Sequence, residues 1–167
     1  MRAQRSETAV EDETGRGSDQ SFRIRSAFPA DQGAALSVVQ RCSGRTLFHR
    51  FHGCADAAGH LRRQWGGSAE VILLAWQGHR CVGIGEMAGD AHLGVLVEDT
   101  WQRRGVGTRL LGALVDEARI RCFDVLHVDI LTEDAFLMGA LRRIGPLTVS
   151  WHAEVLSVDI NIESRRR

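Results

Sequence analysis

The sequence predicts an α/β fold of the α+β kind, a mixed and mostly antiparallel sheet of about six to seven strands flanked by helices. Three observations predict it. Residues 69–76, 81–87 and 92–98 are apolar runs of strand length separated only by short turns, which suits antiparallel neighbours. Residues 108–121 then switch to helical spacing, with Leu110, Leu111, Leu114, Val115 and Ala118 on one face. A strand, a crossover helix and two closing strands complete the chain.

Taken in order, residues 1–20 hold only Met1, Ala3, Ala9 and Val10 as apolar members, too few to bury a face, so a disordered tail is expected. The folded domain is placed at 21–162. It opens where Phe22 and Ile24 alternate with arginines as in a half-buried strand. Asp31 is positioned to cap a helix running through Val39. Residues 44–52 read as a second helix and 58–64 as a short third, stopped by Gly66-Gly67. Val71-Ile72-Leu73-Leu74-Ala75 reads as a buried strand, and Gln77-Gly78-His79-Arg80 as the hairpin turn into 81–87. Beyond the long helix come a strand at 125–131, a helix, and strands at 147–151 and 154–160. Residues 163–167, ending in Arg165-Arg166-Arg167, read as a solvated basic tail, and there are no internal repeats.

Composition narrows the function classes. With 167 residues, 44% hydrophobic and 25% charged, the chain suits one globular domain. Its 21 basic and 21 acidic residues cancel, which argues against nucleic acid or an anionic membrane as a partner. Every basic residue is an arginine, so the protein has no lysine of its own. Cys42, Cys54, Cys81 and Cys122 form no CxxC pair, which points to a reducing cytoplasm. Cysteines and histidines between Cys42 and His60 lack the tight pair spacing of a zinc site, so no metal is expected. No apolar run approaches membrane-spanning length, and no secretory signal is visible.

The chemistry concentrates after the strand Leu93-Gly94-Val95-Leu96-Val97. There Gln102-Arg103-Arg104-Gly105-Val106-Gly107 leads straight into the long helix. Two glycines let the backbone turn tightly and approach a ligand, and a helix starting behind them aims unpaired N–H groups at it. This is the pattern of a phosphate cradle, with pyrophosphate as the expected guest. A P-loop is excluded because there is no lysine, and a dinucleotide fingerprint because the third residue after Gly107 is Leu110.

Those six residues resemble the Q/R-x-x-G-x-G/A signature of the GCN5-related N-acetyltransferases (GNAT). Val125-Leu126-His127-Val128-Asp129-Ile130-Leu131 is similar to that family's next strand, and Thr132-Glu133-Asp134 through Arg142-Arg143-Ile144-Gly145 to its next helix and glycine stop. Ser43-Gly44-Arg45-Thr46-Leu47-Phe48-His49-Arg50-Phe51 resembles a stretch near the start of bacterial protein-lysine acetyltransferases, with Thr46 in a serine position and His52 in place of the last Phe. The resemblance covers about residues 22–161 and implies the GNAT fold, a single sheet whose splayed central strands form an acetyl-CoA cleft. It implies that main-chain groups of Val95, Leu96 and Val97 meet the pantetheine. It further implies that Gln102, Arg103, Arg104, Gly105, Val106, Gly107 and Thr108 form the pyrophosphate loop. Asp134 stands where the family has an asparagine near the pantetheine, and it also sits well as a helix N-cap.

Acetyl transfer to an amine needs the amine neutral, so a base or a water path to one is expected. In related lysine acetyltransferases a glutamate stands ten residues ahead of the loop glutamine; here that position is His92. A histidine, with an unperturbed pKa of about 6.5, serves as base without tuning. It reads equally as a surface histidine at a strand end. Asp90 and Gly94 leave room for a carboxylate to orient the imidazole, and Glu86 and Asp90 are the reserve bases. The tyrosine that many relatives use to protonate the departing thiolate is missing; its place falls at Leu141, and the chain has no tyrosine at all. The expected function is acetyl-CoA-dependent N-acetylation of a protein lysine or a small-molecule amine. The alternative is a catalytically weak acyl-CoA-binding domain that regulates a partner.

Overall fold

Continuous apolar runs in β2 and β3 and alternation in strands such as β7 build seven strands in two antiparallel sheets among the described residues. In the first, β1 (Arg23–Ser26), β2 (Ala69–Gln77), β3 (Arg80–Ala88) and β4 (Leu93–Val97) pair in the order β1-β2-β3-β4. In the second, β5 (Val125–Leu131), β6 (Leu147–His152) and β7 (Val155–Asn161) pair in the order β5-β7-β6. The computed structural model describes residues 21–53 and 56–162, so the expected tails at 1–20 and 163–167 lie outside the described residues. One parallel bridge, His92 with His127, joins the two halves of the sheet, and there the His127 amide donates to the Ala91 carbonyl at 3.1 Å.

Strand alternation gives the molecule two cores. On one face of the first sheet, Leu74, Ile84 and Leu96 pack with α1 (Gln32–Arg41) and α3 (Ala57–Arg63) through Ala35, Val38 and Leu61. On the other, Val71, Leu73 and Ala75 meet Leu110, Leu114 and Ala118 of α4 (Val106–Ile120), a core that continues beneath the second sheet to Leu126, Val158 and Ile160. Leu110 and Leu114 are fully buried, each contributing roughly 1.5–3 kcal/mol of transfer free energy. α2 (Gly44–Phe51) buries none of its residues completely and runs beside β4 and β5.

Four expectations change in detail. α4 starts at Val106 rather than Thr108, because Gly105 takes a left-handed conformation at φ 81° that turns the chain into the helix two residues earlier. The crossover helix is mostly a 3-10 segment, Thr132–Leu137, followed by a single α-helical turn, α5 (Met138–Leu141). Asp134 is no N-cap: it lies inside that 3-10 segment, and its carboxylate is drawn to His49 of α2 at 2.6 Å. Asp31 does precede α1 but makes no side-chain cap. Its carboxylate accepts instead from the Phe28 amide at 2.8 Å and from the Arg25 guanidinium at 2.6 Å.

Candidate functional site

β4 and β5 lie side by side at one end only. Beyond the His92–His127 bridge, β4 pairs with β3 from Met87↔Leu93 to Gly83↔Val97, while β5 pairs with β7, so their facing edges part. Over Leu93–Val97 the outer main-chain groups of β4 therefore have no strand partner among the described residues, and unpaired backbone of this kind seeks a ligand or water. Leu93, Val95 and Val97 present their main-chain groups to this open edge, whereas those of Leu96 turn to Ile84 of β3, in step with the Glu98 amide that donates to the Val82 carbonyl at 3.0 Å. The side chains of Val95 and Val97 lie toward Gly107 of α4, whereas Gly94 and Leu96 face the α1–α2 side.

The glycine loop closes the wide end of this fork. The first helical hydrogen bond runs from the Arg109 amide to the Gly105 carbonyl at 3.0 Å, which leaves the amides of Val106, Gly107 and Thr108 as the free donors of α4. Val106 is buried and offers only its main chain; Thr108 is exposed. Gln102 turns inward, its amide donating to the Val97 carbonyl at 3.1 Å and to the Thr46 hydroxyl at 3.0 Å, so it fixes the end of β4. Arg104 stacks over the buried Trp101 ring at 5.2 Å, and Arg103 is exposed at φ 58°. An anion arriving here meets a helix N-terminus and two exposed arginines.

The α2 wall is anchored to the same loop. Ser43 caps α2 by accepting from the Thr46 amide, and Asp99 accepts from the Ser43 amide at 2.8 Å, the Ser43 hydroxyl at 2.7 Å and the Thr46 hydroxyl at 2.9 Å. Burial works to raise the Asp99 carboxyl, but these donors outweigh it and hold the group below its ordinary value. Just before it, Glu98 is buried between Arg41 at 2.8 Å and Arg80, and takes a hydrogen bond from Thr100. Burial again opposes the shift, and the Arg41 and Thr100 hydrogen bonds keep the carboxyl low.

Deeper in the fork, Glu86 of β3 is 6% exposed and pairs with Arg50 of α2 at 2.5 Å, with His60 of α3 at 3.3 Å from the same oxygen. Its other oxygen is buried without a partner. Arg50 reaches Glu86 across Gly94, and a Cβ at that glycine would lie 1.9 Å from Nη2. At the far side of α2, His49 is held by Asp134 and, at 3.3 Å, by Glu133, which links α2 to the segment after β5. Asp134 thus stands beside the fork but is already engaged.

His92 occupies the crotch of the fork. Ala91, at φ 61° and fully buried, follows a turn closed by its own amide on the Ala88 carbonyl, a one-residue bulge that starts β4 and sets the direction of the next side chain. The carboxylate that faces the imidazole is not that of Asp90. Asp90 accepts from the His92 main-chain amide at 3.2 Å, whereas Asp129 of β5 lies 3.4 Å from His92 Nε2. Around them opens a recess of about 270 Å³ lined by Asp90, His92, His127, Asp129, Ser157 and Asp159. Sequence reasoning missed the β5 and β7 members. The signal was present, since His-Val-Asp-Ile and Ser-Val-Asp-Ile alternate polar and apolar residues along strands that pair in register.

No phenol stands ready to protonate a leaving thiolate. Leu141 is buried in the α5 core, and burial pushes the thiols of Cys42 and Cys81 up to about 12 and about 11, so they stay protonated and inert. Among the described residues there is no cluster able to hold a metal ion and no helix long and apolar enough to cross a membrane.

This combination of a forked sheet, a glycine loop and a helix N-terminus defines a protein class. Residues 42–145 match the model of the acetyltransferase (GNAT) family, and the chain belongs to that family. Among solved structures it is similar to the GNAT domain of S. lividans PAT, at 19% identity and TM-score 0.72 over 84% of this chain and 90% of that one. It is also similar to the ribosomal-protein-S18-alanine N-acetyltransferase of Escherichia coli, at 16% identity and TM-score 0.66 over 85% and 94% of the two chains. A third similar structure is yncA from Salmonella typhimurium with its cofactor acetyl-CoA, at 18% identity and TM-score 0.62 over 87% and 95%. Comparison with curated proteins finds no match.

Proposed function

We propose that this protein is an acetyl-CoA-dependent N-acetyltransferase acting on an amine, with a protein lysine as the first candidate acceptor and a small-molecule amine as the next. The observation that carries the reading is the unpaired edge of β4 leading directly to the free amides of Val106, Gly107 and Thr108. Coenzyme A matches that layout: amides for the strand edge at one end and a diphosphate for the helix start at the other. Val95 and Val97 would hold the pantetheine, Leu96 between them being turned to β3, the loop from Gln102 to Thr108 would hold the diphosphate, and Arg103 and Arg104 would add charge. Asp134, tied to His49, would line the fork without donating to the ligand.

Bound acetyl-CoA supplies an activated acyl group as a thioester. The protein supplies position and a base. His92, at the crotch of the fork, takes a proton from the incoming ammonium so that its nitrogen carries a lone pair; Glu86 and Asp90 are less suited, the first being neutralised by Arg50 and the second serving its own turn. With a leucine at 141 and no tyrosine in the chain, no phenol protonates the departing thiolate, which is stable enough to leave without a proton.

The test is calorimetric titration with acetyl-CoA, then thiol release with a panel of lysine peptides and amines. Gly105→Val, forced toward a left-handed conformation that β-branched residues resist, weakens acetyl-CoA binding about tenfold or more, roughly 1.4 kcal/mol. His92→Ala keeps that binding and lowers turnover by about 10²–10⁴. Absence of acetyl-CoA affinity, or a Gly105→Val protein that binds as well as the parent, overturns the reading.

A further inference from the structure

The reaction proposed above asks more of His92 than proximity. An imidazole that is to collect a proton must present one nitrogen as a lone pair and keep it aimed, and it must be stabilised once it becomes a cation. Three strands converge on that requirement. His92 stands at the start of β4, Asp129 in the middle of β5, and Ser157 opposite Asp129 on β7 in the register Asp129↔Ser157. The Ser157 hydroxyl donates to Asp129 Oδ1 at 2.7 Å, and Asp129 Oδ2 lies 3.4 Å from His92 Nε2. Neither carboxylate oxygen is idle.

We propose that Asp129, braced by Ser157, is a positioning residue for His92: it fixes the Nε2–H tautomer, leaves Nδ1 as the nitrogen that accepts the acceptor's proton, and balances the imidazolium that results. The inference rests on His92 being the base. Proton and charge close within the step. The ammonium gives one proton to Nδ1, which releases it to solvent, and the freed lone pair forms the new bond to the acyl carbon; the carbon–sulfur bond breaks with its electron pair on sulfur, and the surplus N–H proton of the new amide passes to the thiolate, directly or through Nδ1.

The surrounding groups leave Asp129 to this task. His127, two residues earlier on β5, is paired with Asp159 at 2.8 Å and does not compete for Asp129. Asp90, on the turn before β4, is spent on a main-chain amide. His52, the left-handed residue that ends α2, hydrogen-bonds the main chain of Asp129; burial holds its ring below the ordinary imidazole value, so near neutral pH it is uncharged and does not repel a protonated His92. The 3.4 Å separation is long for a hydrogen bond, as catalytic contacts commonly are before substrate arrives.

The test has two independent readouts. Nitrogen-correlated NMR of the ligand-free protein reports the His92 tautomer: the parent shows a protonated Nε2, and Asp129→Asn shifts the population toward Nδ1–H. In steady state, using thiol release from acetyl-CoA to a lysine peptide, Asp129→Asn lowers kcat by about tenfold to a hundredfold with little change in KM for acetyl-CoA, less than in a fully buried triad. Its acid limb in the pH–rate profile moves to lower pH. Asp129→Glu restores part of the rate, and Ser157→Ala, which keeps the carboxylate, gives a smaller loss of the same kind; it also serves if Asp129→Asn does not fold. Unchanged tautomer and unchanged profile in both Asp129→Asn and Ser157→Ala overturn the assignment, while the His92→Ala result separately decides whether His92 is the base at all.

Discussion

Gly94 holds open the space through which Arg50 reaches Glu86, and Gly94→Ala tests how much that space matters. A methyl group there would sit 1.9 Å from the Arg50 terminal nitrogen and 2.2 Å from its central carbon. The guanidinium is the end of a flexible chain, so it moves aside rather than breaking the strand, but it then leaves the Glu86 carboxylate. Uncoupling a fully buried ion pair costs about 3–5 kcal/mol. Arg50 is 19% exposed and His60 still faces the carboxylate at 3.3 Å, so the expected loss is smaller, roughly 2–3 kcal/mol. For a domain of this size that lowers Tm by roughly 5–10 °C. The assay is denaturant unfolding of the parent, Gly94→Ala, Arg50→Ala and the double variant. With the guanidinium gone, Gly94→Ala is neutral or stabilising by up to about 1 kcal/mol, because alanine loses less backbone entropy than glycine in a strand. A Gly94→Ala cost that is equal in both backgrounds, or absent from both, refutes the reasoning.

Two further outcomes follow from the same geometry. Asp99 has a folded-state pKa below its ordinary value of 3.8, so the unfolded chain binds more protons as pH falls through that range and the Asp99 contribution is lost on acidification. Asp99→Asn therefore costs about 1 kcal/mol near neutral pH, an amount kept small by its exposure, and flattens the acid limb of stability in urea unfolding from pH 7 to pH 3; an unaltered limb counts against the Ser43 and Thr46 contacts. In the native protein iodoacetamide labels exposed Cys122 well before half-buried Cys42 and buried Cys81, as peptide mass mapping would show, and equal labelling would mean that those two thiols are not held as described.

Much of this architecture was legible because it is written in local patterns. The apolar runs of β2 to β4, the helical spacing of α4 and the strand at 125–131 are short-range signals, as is the pair of glycines that lets the backbone turn just before a helix. What local pattern could not reveal was where polar side chains would go. Asp31 and Asp134 both sit where an N-cap would serve, yet an arginine six residues back and a histidine 85 residues back claim their carboxylates. Asp90, near His92 in sequence, turns to the main chain, while Asp129, far away in sequence, faces the ring. The partner of His92 depends on the register of β5 against β7 and on the bridge to β4, neither of which a single sequence fixes.

The first turn of α2 hangs on Asp99 and Gln102, residues that also launch the glycine loop. In the reading proposed above, the loop that would hold the diphosphate and the α2 wall beside the fork share a joist, so a ligand that reoriented the one would tilt the other. Linkage would make any such coupling reciprocal, the nucleotide changing the amine's affinity by the same factor as the amine changes the nucleotide's. Thr46, which donates to Asp99 and accepts from Gln102, is the joint at which that reciprocal effect would be loosened.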